Sequence, residues 1–222
     1  KEIIKIAHEN KALVLIDAAQ SAGHTQIDFN KLNIDFMAFS GHKISGPTGT
    51  GALVAKKELL DKIEPLNIGG GTVIDSNYND YKYEEAPQRF EAGLQNYSGI
   101  IGFGEAISYI RKIGFDNIEK NDLKLNKIIT EELLNKVELI GPEDYGLRSS
   151  IFSFNIKGFS SHDVALILNS SKNICIRSGA HCVHSWFNKH NLNGSARASL
   201  YFYNNEDDAR IFVEEIKKII KN

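Results

Sequence analysis

Continuous apolar runs alternate along this chain with amphipathic stretches, and the alternation marks out its elements before any motif is read. Residues 12–16 and 35–39 form nearly unbroken apolar runs, the pattern of strands covered on both faces. Residues 52–55 give a third, shorter strand, and residues 1–10 have the spacing of an amphipathic helix that leads into the first. Residues 98–113 predict a helix with small residues on one side. Residues 117–136 predict another, with Ile118, Leu125, Ile128, Ile129 and Leu133 on one stripe. Further strands are expected at 150–156, 173–177 and 196–202, and helices at 161–169 and 206–220. Between these lies a glycine- and tyrosine-rich segment, 67–96, long for a structureless loop, which favours a functional or interface role. The expected organisation is an α/β domain over 1–110 followed by a compact α+β domain over 111–222.

A length of 222 residues is enough to bury a full core. The net charge of −2, with no basic block, argues against nucleic acid or a membrane surface as a partner recognised by bulk charge. No apolar run approaches the roughly 20 residues of a membrane span. The chain opens without methionine, inside an element, and reads as the C-terminal part of a longer protein. Its two cysteines occupy different settings: Cys175 on an expected strand, where a core position is predicted, and Cys182 in a loop. Neither suggests a disulfide framework, so a reducing cytoplasm is the expected location.

The candidate chemistry gathers where the apolar runs end. Asp17-Ala18-Ala19-Gln20 follows the first strand, and Ser40-Gly41-His42-Lys43 follows the second, before the glycine-rich Gly46-Pro47-Thr48-Gly49-Thr50-Gly51. If the two strands are parallel, these groups share the sheet edge at which open α/β folds bind ligands. A lysine held beside Ser40, His42 and the backbone N–H groups of a glycine turn is an amine inside an anion cradle. An acid and a lysine at such an edge are what pyridoxal phosphate requires, an imine partner and a carboxylate for the pyridinium nitrogen. A solvated loop lysine and a helix N-capping Asp17 are the plain alternatives. A nucleotide-binding loop would place Gly-Lys-Ser/Thr after the glycines, which this chain does not.

Cys182 sits in Arg177-Ser178-Gly179-Ala180-His181-Cys182-Val183-His184, polar surroundings that favour a thiolate, with Arg177 and Lys189 nearby in sequence. A zinc site from His181, Cys182, His184 and His190, or a Cys–His hydrolase, are alternatives, though the zinc spacing matches no common pattern. Arg197 and Arg177 lie on expected strands. They are surface ion-pair partners or a planar clamp for a substrate carboxylate.

Taken in order, Asp17-Ala18-Ala19-Gln20, Phe39-Ser40-Gly41-His42-Lys43, Arg89-Phe90-Glu91-Ala92-Gly93, Arg177-Ser178-Gly179-Ala180-His181-Cys182 and Arg197-Ala198-Ser199 resemble the motifs of group II cysteine desulfurases and selenocysteine lyases. These are enzymes of the class V aminotransferase fold, and the likeness spans essentially the whole chain. The resemblance implies a fold type I, pyridoxal-phosphate-dependent transferase, α/β with a C-terminal small domain, acting as a homodimer. By the same resemblance Lys43 is the lysine that carries the cofactor and shuttles protons, and Asp17 keeps the pyridine nitrogen protonated. Gln20 faces the phenolic oxygen, and Ser40 and His42 hold the phosphate. Arg197 grips the substrate carboxylate, with Arg177 beside the mobile cysteine. Cys182 takes sulfur from L-cysteine (or selenium from L-selenocysteine) as a persulfide, for a sulfur-acceptor protein and routes such as iron–sulfur cluster assembly. Leu94 departs from the threonine that many relatives use to contact the neighbouring subunit's phosphate. The family's N-terminal half supplies further cofactor ligands, so this polypeptide alone is expected to be inactive, with exposed strand edges and a tendency to aggregate.

Overall fold

The computed structural model describes residues 1–221, which divide into two compact units, one from Lys1 to Ile113 and one beginning at Gly114. Among the described residues no helix is long and apolar enough to cross a membrane.

The first unit opens with helix α1 (Glu2–Glu9) and strands β1 (Leu15–Asp17), β2 (Phe36–Ser40) and β3 (Gly51–Ala55). β1 and β2 are parallel, with Asp17 opposite Ala38, and β3 returns antiparallel to β2. Ile4, Ala18, Ile34 and Met37 form the core on one side, with Val14, Ile16, Phe39 and Val54 packed against them. The runs were expected to be covered on both faces, but Leu13, Leu15 and Leu53 stay more than half exposed. In this unit the sheet packs on one face, so β1 alternates in burial where a strand buried on both sides would not.

Asp35, read above as the start of an apolar run, is a buried acid at the head of β2. Its carboxylate accepts hydrogen bonds from Lys56 Nζ at 2.6 Å and the Val14 N–H at 2.8 Å, and lies 2.7 Å from His8 Nε2. It thereby ties α1 to the residue that leads into β1 and the one that follows β3. Burial alone would raise its pKa, but the hydrogen bonds from Lys56, His8 and Val14 hold it down at about 2.

Beyond helix α2 (Lys57–Leu60), the glycine- and tyrosine-rich segment contains an antiparallel hairpin, β4 (Val73–Ser76) and β5 (Tyr81–Tyr83). Its strands are short and mostly exposed, and so lack the burial pattern that would have marked them in sequence. Arg89 bonds the carbonyls of Leu60 and Ile63, closing this segment onto the end of α2. Leu94 is almost fully exposed, and Gln95 turns its amide to the Ala92 and Gly93 carbonyls. Helix α3 (Tyr97–Ile113) completes the unit.

The second unit is a four-stranded antiparallel sheet in the order β6-β7-β9-β8: β6 (Glu138–Ile140), β7 (Ile151–Asn155), β9 (Ser195–Ser199) and β8 (Arg177–Gly179). Helices α4 (Phe115–Leu133), α5 (Ser161–Lys172) and α7 (Glu206–Lys221) contribute to one core with it, and the short α6 (His184–Lys189) follows β8. Leu125, Ile129 and Leu133 of α4 meet Phe152 and Phe154 of β7, Leu168 of α5, Ala196 and Ala198 of β9, and Phe212 and Ile216 of α7. A reciprocal capping box, Ser160 with Asp163, starts α5.

The expected strand at 173–177 is displaced. α5 runs on to Lys172 and ends at Asn173 in the left-handed region, so the strand begins only at Arg177. Ile174 and Ile176 pack on the core across this connection. Cys175 lies between them and faces out, so the thiol expected in the core is exposed.

Candidate active site

In the first unit the parallel register brings Asp17, at the end of β1, and Ser40, at the end of β2, to one edge of the sheet. Lys43 follows in a single 3₁₀ turn, Gly41–Ile44. That turn is folded tightly on itself. Gly41 N–H donates to the Thr50 carbonyl and Gly46 N–H to the Gly41 carbonyl, both at 2.8 Å. A side chain on Gly41 would meet Thr50 Oγ1 at 2.1 Å, and one on Gly46 would meet the Phe103 ring at 2.9 Å. Phe103 of α3 also packs edge-on against Phe39 at 6.1 Å, so helix and strand clamp the turn from two sides. These glycines therefore serve close approach. One of the backbone N–H groups of the glycine turn expected to face an anion, that of Gly46, is used inside the turn itself.

Lys43 is half-buried, and among the described residues its amine has no hydrogen bond or ion pair; the side chains of Ser40, His42 and Gln20 are equally unpartnered. Asp17 is exposed and its Oδ1 accepts from the Ala19 N–H at 2.9 Å. Turns follow it and no helix does, so it is not a helix cap.

In the second unit, strand alternation sends Ala196 and Ala198 into the core and Arg197 to the opposite face. There Arg197 stands directly across from Arg177 on β8 and from Ser153 on β7. Arg177 Nη2 reaches Cys182 Sγ at 3.5 Å, and Cys182 is exposed. Burial and the neighbouring Arg177 lower the Arg197 pKa, opposed by Cys182, and its Nε is buried without a partner. His181 Nε2 lies 3.0 Å from the Ser195 carbonyl and 2.9 Å from its Oγ. Burial first, then Arg197, push the imidazole below its usual range, so it is neutral at neutral pH. The sulfur thus touches an arginine and bonds neither flanking histidine, which removes the Cys–His pairing a hydrolase would need. His190 is stacked on Trp186 with its Nδ1 bonded to the Trp186 carbonyl. Among the described residues no three His, Cys, Asp or Glu side chains gather as a metal site, against the zinc alternative.

Ser195 and the glycine pair Gly179 and Gly194 escaped the sequence reading. A side chain on Gly194 would sit 2.7 Å from Gly179 carbon, so β8 and β9 touch backbone to backbone at this point. The signal was present only as a glycine ending one strand and another opening the next.

A family model described as aminotransferase class-V matches residues 1–212. The chain belongs to the class V aminotransferase family. It is 42% identical over its whole length to a probable cysteine desulfurase of Pyrococcus abyssi, of which it covers 56%. With another from Methanothermobacter thermautotrophicus it is also 42% identical, over 99% of this chain and 56% of that protein. Among solved structures it superimposes on the apo cysteine desulfurase from Thermococcus onnurineus NA1 with a TM-score of 0.94 at 42% identity, covering 99% of this chain and 55% of that one. The cysteine desulfurase CsdA from Escherichia coli, crystallised as its S-sulfonic acid, gives 0.90 at 30% identity, covering 98% and 54%. The fold is therefore that of the pyridoxal-phosphate-dependent class V enzymes, fold type I. This class V chain spans about half the length of the curated relatives it matches.

Proposed function

We propose that the whole protein is a pyridoxal-phosphate-dependent cysteine desulfurase, and that this chain carries its cofactor lysine and its sulfur-accepting cysteine. The observation that carries the reading is the exposed Cys182 thiol with the Arg177 guanidinium 3.5 Å from its sulfur, an accessible nucleophile with a planar donor beside it. The groups at the edge of the first unit fit the cofactor: a half-buried amine without a partner, a carboxylate, a hydroxyl and an imidazole. Lys43 would hold it covalently, Asp17 its ring nitrogen, Gln20 its phenolic oxygen, and Ser40 and His42 its phosphate. When bound, pyridoxal phosphate supplies the electron sink that weakens the substrate's Cβ–S bond.

The chain's own residues do the rest. Arg197, with an unpartnered buried Nε, grips the carboxylate of L-cysteine as a planar donor. Cys182 thiolate attacks the substrate sulfur. The new S–S bond forms as the Cβ–S bond breaks, its electron pair stays with the substrate carbon, and that carbon takes a proton to leave as L-alanine. Lys43 Nζ carries protons to and from the substrate. L-Selenocysteine would engage the same groups. We infer a homodimer in the cytoplasm that hands sulfur to an acceptor protein, for uses such as iron–sulfur cluster assembly. The outward position of Cys182 supports the handover, and two free thiols support a reducing compartment.

In the whole protein, Cys182→Ser should abolish alanine release from L-cysteine and persulfide formation while leaving the visible absorbance of the lysine-linked cofactor intact, and Cys175→Ser should match wild type. Full desulfurase activity in Cys182→Ser, with loss in Cys175→Ser, would move the nucleophile and sink the assignment. Cleavage of selenocysteine that survives in Cys182→Ser separates the two substrates, since selenium leaves without thiol attack.

A further inference from the structure

The loop that carries Cys182 is held in a conformation its own residues disfavour. Ala180 to Val183 is a hydrogen-bonded turn, with the Val183 N–H on the Ala180 carbonyl at 2.8 Å. Both central residues have positive φ, 49° at His181 and 67° at Cys182. A turn with two left-handed central residues is the setting in which Asn-Gly is preferred, because a Cβ crowds the following carbonyl there. His-Cys in this place needs support from outside the turn, and one contact supplies it. His181 Nε2 faces both the Ser195 carbonyl and the Ser195 Oγ, at 3.0 and 2.9 Å. A ring nitrogen between two oxygens, one of them a carbonyl that only accepts, is best read as N–H, which fixes the Nε2–H tautomer. The opposite tautomer would set a lone pair against the carbonyl and bury an Nδ1–H, and Nδ1 is buried without a partner.

We propose that His181 is a positioning residue: its Nε2–H fastens the strained sulfur-bearing turn to strand β9 at Ser195, and so sets the reach of Cys182. Ser195 lies two residues before Arg197 on that strand, and Gly179, which leads into the turn, pairs with Ser195 across the sheet. The thiol and the carboxylate-gripping arginine are thereby referenced to one piece of backbone. The groups facing the imidazole are Ser195, Arg197, Arg177 and the Phe187 ring, the last at 6.1 Å. Burial first, and then Arg197 and Arg177, disfavour the charged ring, which suits a neutral anchor and not a proton donor to the sulfur.

The inference rests on the proposed desulfurase reading for its kinetic arm only. Three variants of the whole protein separate the hydrogen bond from the backbone and the packing. His181→Phe keeps a ring beside Phe187 but has no donor. His181→Asn relaxes the left-handed backbone, yet its amide is too short to reach where Nε2 sits. His181→Gln returns a donor to that reach. Expected for Phe and Asn is a fall in kcat for L-cysteine of roughly tenfold, the scale for losing a group that orients a reacting one. KM should stay within about twofold and the lysine-linked cofactor absorbance should not change, while His181→Gln recovers most of the rate. Hydrogen exchange at Val183 and the rate of Cys182 alkylation by iodoacetamide should rise in Phe and Asn and return towards wild type in Gln. Wild-type kcat and Val183 protection in the Phe or Asn variant would overturn the proposal, as would a Gln variant as impaired as Phe. If the wild-type protein lacks desulfurase activity, the functional reading fails, and the exchange and alkylation measurements still decide the anchor.

Discussion

Asp35 shows how much a single residue can contribute outside any active site. It is 2% exposed and receives Lys56, His8 and a backbone N–H, so its charge is compensated on several sides. Its pKa lies at about 2, below the ordinary 3.8, so its contribution to stability is fully present above 3.8 and is lost as pH falls towards 2. Asp35→Asn should destabilise the first unit by about 3 kcal/mol near neutral pH, because the Lys56 ammonium is left beside a neutral amide. The gap between variant and wild type should narrow as urea titrations are repeated from pH 5 down to about 2. A gap that stays constant with pH would mean that the carboxylate's charge is not what stabilises the site. In sequence this acid was indistinguishable from the start of an apolar strand. Its partners, His8, Val14 and Lys56, come from three separate stretches of the chain, and only the fold brings them together.

Most of the elements were legible from their period. The alternation Ile151-Phe152-Ser153-Phe154-Asn155 is a half-buried strand in sequence and in structure. The stripe of Ile118, Leu125, Ile129 and Leu133 is buried as a helix face in the same way. The positions of Asp17 and Lys43 were legible as well, one ending β1 and the other in the turn after β2, while Arg197 lies in the middle of β9 and not at its start. What escaped depends on tertiary closure: the late end of α5 that turns Cys175 outward, the hairpin β4–β5 with little buried surface, and the β8–β9 contact. Gly194, with φ of 109°, has backbone freedom that alanine lacks, and an added methyl would press on Gly179. Gly194→Ala should therefore lower the stability of the second unit by about 1–3 kcal/mol, read from the urea midpoint. It should also speed hydrogen exchange along both strands, and an unchanged midpoint would show that the two backbones are free to separate.

On the scale of the whole molecule the two units differ in completeness. The second buries Phe152, Phe154, Leu125, Ile129, Leu168 and Ile216 completely in a core made of its own helices and sheet. The first leaves Leu15 and Leu53 on its strands, and Leu13 just before β1, more than half exposed. The 222-residue polypeptide on its own should therefore self-associate through the first unit. Residues 114–222 alone should remain monomeric and unfold in one cooperative transition. Sedimentation and urea titration of both polypeptides check this, and aggregation confined to residues 114–222 would reverse the assignment.

The facing pair Arg177 and Arg197 has one more consequence. Like charges set directly opposite on neighbouring strands repel, and among the described residues no carboxylate is hydrogen-bonded or ion-paired to either arginine. The sheet around the thiol is therefore less stable empty than it would be with an anion between the two guanidinium groups. An anion bound between the two guanidinium groups would lower the energy of the whole unit by quenching that repulsion. Occupancy of the site and the melting temperature of the domain are thus two readings of one electrostatic quantity.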